Sequence, residues 1–214
     1  MNFKRNILQS FTDTLKKRLA YSTVSQVSYI LFGLSTLHPL GLVGALLHAV
    51  CHSLVKNTLF LSAGAIILKS EKTDVRELEG IGRRMPVTMG CFTVASLGLI
   101  GIPPCMGFIS KWYLAQGSLA ATGVTGFLNI LGPVVLLISA LLTAGYLFPI
   151  VIRGFIVGNG GHGHDHEEAP VYERNDAPLM MLIPLLVLAV LSVLVGMFPG
   201  ALIDLLTKVG ELLM

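Results

Sequence analysis

The sequence predicts an all-α integral membrane protein. It reads as about five transmembrane helices, the third broken at a Gly-Ile-Pro-Pro segment, plus a short C-terminal amphipathic helix. Three observations predict this. Hydrophobic residues make up 53% of the 214 and charged residues 13%, against about 25% charged in a soluble domain. Mean hydropathy is +0.76. The apolar residues fall in runs of roughly 20 or more, the length a bilayer core demands, and the connections between runs alternate between basic and uncharged.

Residues 1–18 are mixed and polar and end in Lys16-Lys17-Arg18. They lack the apolar stretch of a secretory signal peptide and read as a cytoplasmic N-terminal segment. Residues 19–198 form the membrane domain. Its first span covers about 19–37, and its second, about 40–68, is long and interrupted by polar residues. The third, about 86–119, is too long for one straight helix and is broken at Gly101-Ile102-Pro103-Pro104. There Pro103 and Pro104 remove two amide donors, and Gly101 permits close backbone approach. The fourth covers about 128–152 and the fifth about 179–198. In the tail, 199–214, Leu202, Leu205, Leu206, Val209 and Leu213 recur at helical spacing, with Asp204, Lys208 and Glu211 largely on the other side. Such a helix lies at the interface.

The net charge of +3 matters less than its placement. Lys69, Lys72, Arg76, Arg83 and Arg84 fall in the loop 69–85, and Arg153 and Arg174 in the loop 153–178. The connections 36–41 and about 117–126 carry no Lys or Arg. The positive-inside rule then puts the N-terminus and both basic loops in the cytoplasm and the C-terminus outside. The mixed signs in 69–85 predict an interfacial segment with local ion pairs, which are weak.

The polar residues within the spans are the informative ones. Lys111 lies in the run 87–121, which is otherwise uncharged. A charge at mid-membrane costs at least ~2.5–3.5 kcal/mol, and a broken helix needs its freed backbone groups satisfied by protein or water. Trp112 and Tyr113 beside it suit an interfacial lysine that snorkels. The apolar stretch running on past the break argues for a deeper position. His48, His52 and Lys56 are spaced by four, so they share one helix stripe that rises ~12 Å. Two imidazoles and an amine in line can pass a proton where water joins them. Ser22, Ser25, Gln26 and Tyr29 share a face of the first span. That face is too polar for lipid, so it reads as a hydrated wall beside the stripe or as helix–helix hydrogen bonding.

Other features point away from chemistry in this chain. Cys51, Cys91 and Cys105 all fall in spans and show no metal or disulfide spacing. His162, His164, Asp165, His166, Glu167 and Glu168 fall in a Gly-rich stretch that fits no structural zinc pattern and reads as a solvated loop. The sequence contains no phosphate-binding loop, dinucleotide fingerprint, iron–sulfur Cys cluster or nucleophile elbow. No catalytic redox site, metal site or cofactor is expected, and no nucleic-acid partner.

Three strings resemble one family. Leu15-Lys16-Lys17-Arg18-Leu19-Ala20-Tyr21-Ser22-Thr23-Val24-Ser25-Gln26 resembles the opening of a helix in the antiporter-like subunits of respiratory complex I, multisubunit sodium/proton antiporters and membrane-bound hydrogenases. His48-x-x-x-His52-x-x-x-Lys56, followed by Leu59-Phe60-Leu61-Ser62-Ala63-Gly64, resembles that family's next helix. Gly101-Ile102-Pro103-Pro104-Cys105-Met106-Gly107-Phe108-Ile109-Ser110-Lys111 resembles its broken helix. The motifs cover about residues 15–111. Val55 and Asn57 depart from the residues usual around the lysine of the second motif, which bears on local packing.

The resemblance implies that His48, His52, Lys56 and Lys111 belong to a hydrophilic axis that carries protons, with Lys111 ending a half-channel. Family members are longer and built from two inverted repeats, so the chain is expected to correspond to the later part. Either the chain is a fragment of a longer protein, or a further chain is expected to supply the missing N-terminal helices, beside other membrane subunits and the lipid bilayer. The implied function is a proton-translocating subunit, or its C-terminal part, of a redox-driven complex such as an NADH:quinone oxidoreductase or membrane-bound hydrogenase. The redox chemistry would lie elsewhere, and the place would be a bacterial or archaeal cell membrane. The alternatives are a subunit of a multisubunit cation/proton antiporter, or a truncated, non-conducting structural subunit.

Overall fold

The computed structural model describes residues 14–121, 126–155 and 174–213. These are helical throughout, apart from short connections and one isolated bridge between Thr14 and Asp74. The helices are α1 (Leu15–Ser35), α2 (Pro39–Ser70), α3 (Ile81–Arg84), α4 (Pro86–Ile100), α5 (Met106–Ala120), α6 (Gly126–Phe155), α7 (Leu179–Met197) and α8 (Gly200–Leu213). A 3₁₀ turn, Val75–Glu77, precedes α3. The His-rich stretch around 162–166 lies outside the described residues.

α2 is the centre of the bundle. Its 32 residues start at Pro39, where proline's missing N–H costs nothing. His38 caps the start by accepting from the Leu40 amide at 3.2 Å. α1, α4, α5, α7 and α8 all pack on α2. The core joins Leu47, Val55, Leu59 and Ile66 of α2 to Phe92 of α4 and Leu147 of α6. Gly44 lets α5 come close, since a Cβ there would stand 2.7 Å from the Leu114 amide nitrogen.

Among the described residues, three helices are long and apolar enough to cross a membrane by length and composition: Pro39–Ser70, Asn129–Phe155 and Leu179–Met197. α1 is not among them, because its basic start and polar face lower its hydropathy. It begins four residues before the expected boundary, since Lys16, Lys17 and Arg18 belong to the helix rather than flank it. The region 86–119 forms two helices of 15 residues each. Gly101 ends α4 with φ +90°, a left-handed conformation that suits glycine. α6 continues through Pro133 and Pro149. α8 lies against α2 and lends Leu202, Ile203 and Leu206 to the core.

The connection between α2 and α4 is tied by hydrogen bonds. Lys69 donates to Asn175 Oδ1 (2.9 Å) and Lys72 to the Glu77 carbonyl (2.9 Å). Asp176 accepts from the Val87 and Thr88 amides (3.0 and 3.2 Å) and from the Thr88 hydroxyl (2.7 Å). It thereby caps the start of α4.

Candidate functional site

The buried face of α1 repeats at steps of three and four: Leu15, Leu19, Ser22, Gln26, Tyr29 and Gly33. That spacing turns one stripe toward α2. Of the four residues of the expected polar wall, Ser22, Gln26 and Tyr29 are buried and Ser25 is half-buried. α2 answers with His48 and Lys56, both buried, and His52, half-buried.

His48 is 2% exposed and held at both ring nitrogens. Nδ1 lies 3.0 Å from Ser110 Oγ on α5, and Nε2 lies 3.1 Å from Gln26 Oε1 on α1. The His52 ring stacks below it with centroids 6.4 Å apart. The Tyr29 ring meets His48 edge-on at 5.2 Å, and the Tyr29 hydroxyl donates to Ser139 on α6.

Lys111 is half-buried beyond the interruption between α4 and α5. Its Nζ donates to the carbonyls of Leu99 (2.9 Å) and Ile100 (2.6 Å), the last two of α4. A helix C-terminus carries partial negative charge and unpaired carbonyls, so an ammonium there meets both demands. The same Nζ lies 5.6 Å from the Tyr29 ring centroid, within cation–π range. Pro103 and Pro104 are exposed, while Gly107 is buried against Gly98.

Lys56 marks the other end. Its Nζ donates to the Leu19 carbonyl (2.7 Å) and to the Ser22 hydroxyl, and it lies 5.9 Å from the Phe60 ring centroid. Lys56, His52, His48, Tyr29 and Lys111 thus form one row between α1, α2 and α5. Among the described residues, two buried polar atoms beside the row, Gln26 Nε2 and His52 Nε2, have no hydrogen-bond partner. Buried polar groups rarely stay so, and these can each engage water.

Sequence reasoning missed part of this. Ser139, Thr143 and Tyr146 are spaced by four and three on α6, and that polar stripe would have shown a further wall facing α1. Ser110 stood in the quoted motif without a role. Among the described residues, no group of three His, Cys, Asp or Glu is arranged to hold a metal ion. The three cysteines are free and buried.

Comparison with known proteins gives the chain's family and fold. Residues 6–146 match the family described as NADH:quinone oxidoreductase/Mrp antiporter, TM. The chain is 42% identical over 189 residues to NADH-quinone oxidoreductase subunit N of Desulforudis audaxviator, covering 86% of this chain and 36% of that protein. It is 34% identical over 196 residues to hydrogenase-4 component B of Escherichia coli, covering 86% and 28%. The chain therefore spans about a third of the length of the curated relatives it matches. A chain of the Mrp complex from Dietzia sp. superposes with a TM-score of 0.78 at 23% identity, over 92% of this chain and 42% of that one, which shows the shared fold. A chain of the archaeal membrane-bound sulfane sulfur reductase gives 0.64 at 30% identity, over 89% and 29%. The chain belongs to the NADH:quinone oxidoreductase/Mrp antiporter transmembrane family.

Proposed function

We propose that this chain is a proton-translocating part of a redox-driven membrane complex of the NADH:quinone oxidoreductase or membrane-bound hydrogenase type. The observation that carries the reading is the buried row from Lys111 through His48 and His52 to Lys56. Four titratable groups inside an apolar bundle are costly, and structure alone does not require them. Protons would pass along the row as the charge on one group biases the next, with water joining groups not in contact. The electron-transfer chemistry belongs to other subunits.

The membrane arrangement that goes with this reading has five spans. α4 and α5 together make the third, with its interruption inside the bilayer, as in the discontinuous helices of transporters. The N-terminus and both basic loops face the cytoplasm, and the C-terminus faces outside. The chain works with other membrane subunits of such a complex.

The test is Lys111→Ala, with Lys111→Arg as control, in the assembled complex reconstituted in vesicles. Proton translocation per electron transferred is expected to fall on the order of tenfold, equivalent to ~1.4 kcal/mol on the limiting barrier. Native gels should show assembly unchanged. Undiminished translocation in Lys111→Ala would remove Lys111 from the path. Transport that needs a sodium gradient rather than electron transfer would favour the cation/proton antiporter.

A further inference from the structure

His48 has a partner at each ring nitrogen, and one of those partners is asked to do two things. Ser110 Oγ lies 3.0 Å from His48 Nδ1 and 3.0 Å from the Gly107 carbonyl. A carbonyl only accepts, so the Ser110 hydroxyl must donate to make that second bond. A hydroxyl has one proton, so it cannot also donate to His48. With the proton on Gly107, Ser110 can only accept from Nδ1–H. With the proton turned to Nδ1, the ring accepts and the Gly107 bond is given up. Gln26 Oε1 also only accepts, so it requires a proton on Nε2 in both cases. The first arrangement is the imidazolium, with both nitrogens protonated. The second is the neutral Nε2–H ring.

We infer that Ser110 is a positioning residue whose hydroxyl turns between Gly107 and His48, so that its direction follows the charge on His48. This rests on the proton-path reading above, and it adds the group that holds each state of the ring. Ser110 and Gln26 are both 0% exposed, so bulk solvent does not replace either bond. The titratable groups facing this pair are Tyr29 from α1, Cys51 and His52 from α2, and Lys111 from α5. Lys56 lies one turn beyond His52. The proton balance closes within the row. The Lys111 ammonium loses one proton and becomes an amine, the His48 ring gains one at Nδ1, and the Ser110 hydroxyl swings to Gly107. Gly107 is in the first turn of α5, so the charge on His48 is registered at the start of that helix.

The test reads the ring itself. The assembled complex is prepared with ¹⁵N-histidine in bilayers, and His48 is identified by the resonances missing in His48→Gln. In the parent, the neutral ring should carry its proton on Nε2, with Nδ1 accepting a hydrogen bond. In Ser110→Ala that Nδ1 hydrogen-bond signature should vanish. The ratio of doubly to singly protonated ring at a given pH should fall about tenfold, since the charge-assisted bond is the stronger one lost. Ser110→Thr should restore both. Ser110→Cys, close in size but a weak donor and acceptor, should fall between them and serves if the alanine variant fails to assemble. An unchanged ring in Ser110→Ala would overturn the inference. So would a threonine variant that behaves like alanine, or a neutral ring protonated on Nδ1. Proton translocation is measured on the same samples. Translocation unaffected by His48→Gln would sink the path reading through His48, while the spectra alone decide the role of Ser110.

Discussion

A Cβ built on Gly107 would stand 1.8 Å from the Gly98 carbonyl oxygen. At that spacing no neighbour can yield, because the obstacle is backbone. Gly107→Ala should therefore push α5 away from α4, at a cost of about 1–3 kcal/mol typical of overpacking. A lowered Tm of the assembled complex would show it, together with weaker proton translocation as Ser110 and Lys111 lose their partners. An unchanged Tm would mean that the two helices do not approach as closely as described. At this scale the side chains were legible in the sequence. Lys111, His48, His52 and Lys56 stand out because titratable groups are rare in apolar runs. Their partners were not legible, since the row also depends on the carbonyls of Leu19, Leu99 and Ile100. Every residue has a carbonyl, and only the fold decides which ones are within a lysine's reach.

The apolar runs revealed most of the helices, and their ends were less clear. α1 starts earlier than expected because a basic run can continue a helix as well as flank one. The start of α4 depends on Asp176, 88 residues away from Thr88 in the chain. No local signal near Pro86 announces that cap. Asp176→Ala should cost ~1 kcal/mol, within the 0.5–2 range of lost N-caps, with a further share from the helix dipole. Faster amide exchange in the first turn of α4 would register the loss. Asp176→Asn, which keeps an acceptor oxygen, should lose less. Equal exchange in all three proteins would show that the carboxylate does not hold the helix end.

At the scale of the whole molecule, α6 and α7 present apolar outer faces. Leu137, Leu141 and Leu142 of α6 are each more than 60% exposed, as are Leu179 and Met180 of α7. Less than a quarter of the most apolar stretch of each helix is buried within the chain. Such surfaces belong against lipid or other subunits. The chain should stay in the membrane fraction after alkaline carbonate extraction, and release into the supernatant would contradict an embedded bundle. This level was the most legible, since composition and run length alone predicted it. The bundle's internal order needed three dimensions, because nothing in the sequence makes α2 the centre. One of its members has a consequence of its own. α4 is held between an acid and an amine, Asp176 at its start and Lys111 at its end. Its 15 residues make a rod of about 22 Å. In electrical terms it is an electret, a fixed polarisation clamped by opposite charges. Across that length two unit charges interact by about 0.8 kcal/mol at an effective dielectric of about 20. A proton leaving Lys111 would therefore be felt at the loop that carries Asp176 without any atom of α4 having moved.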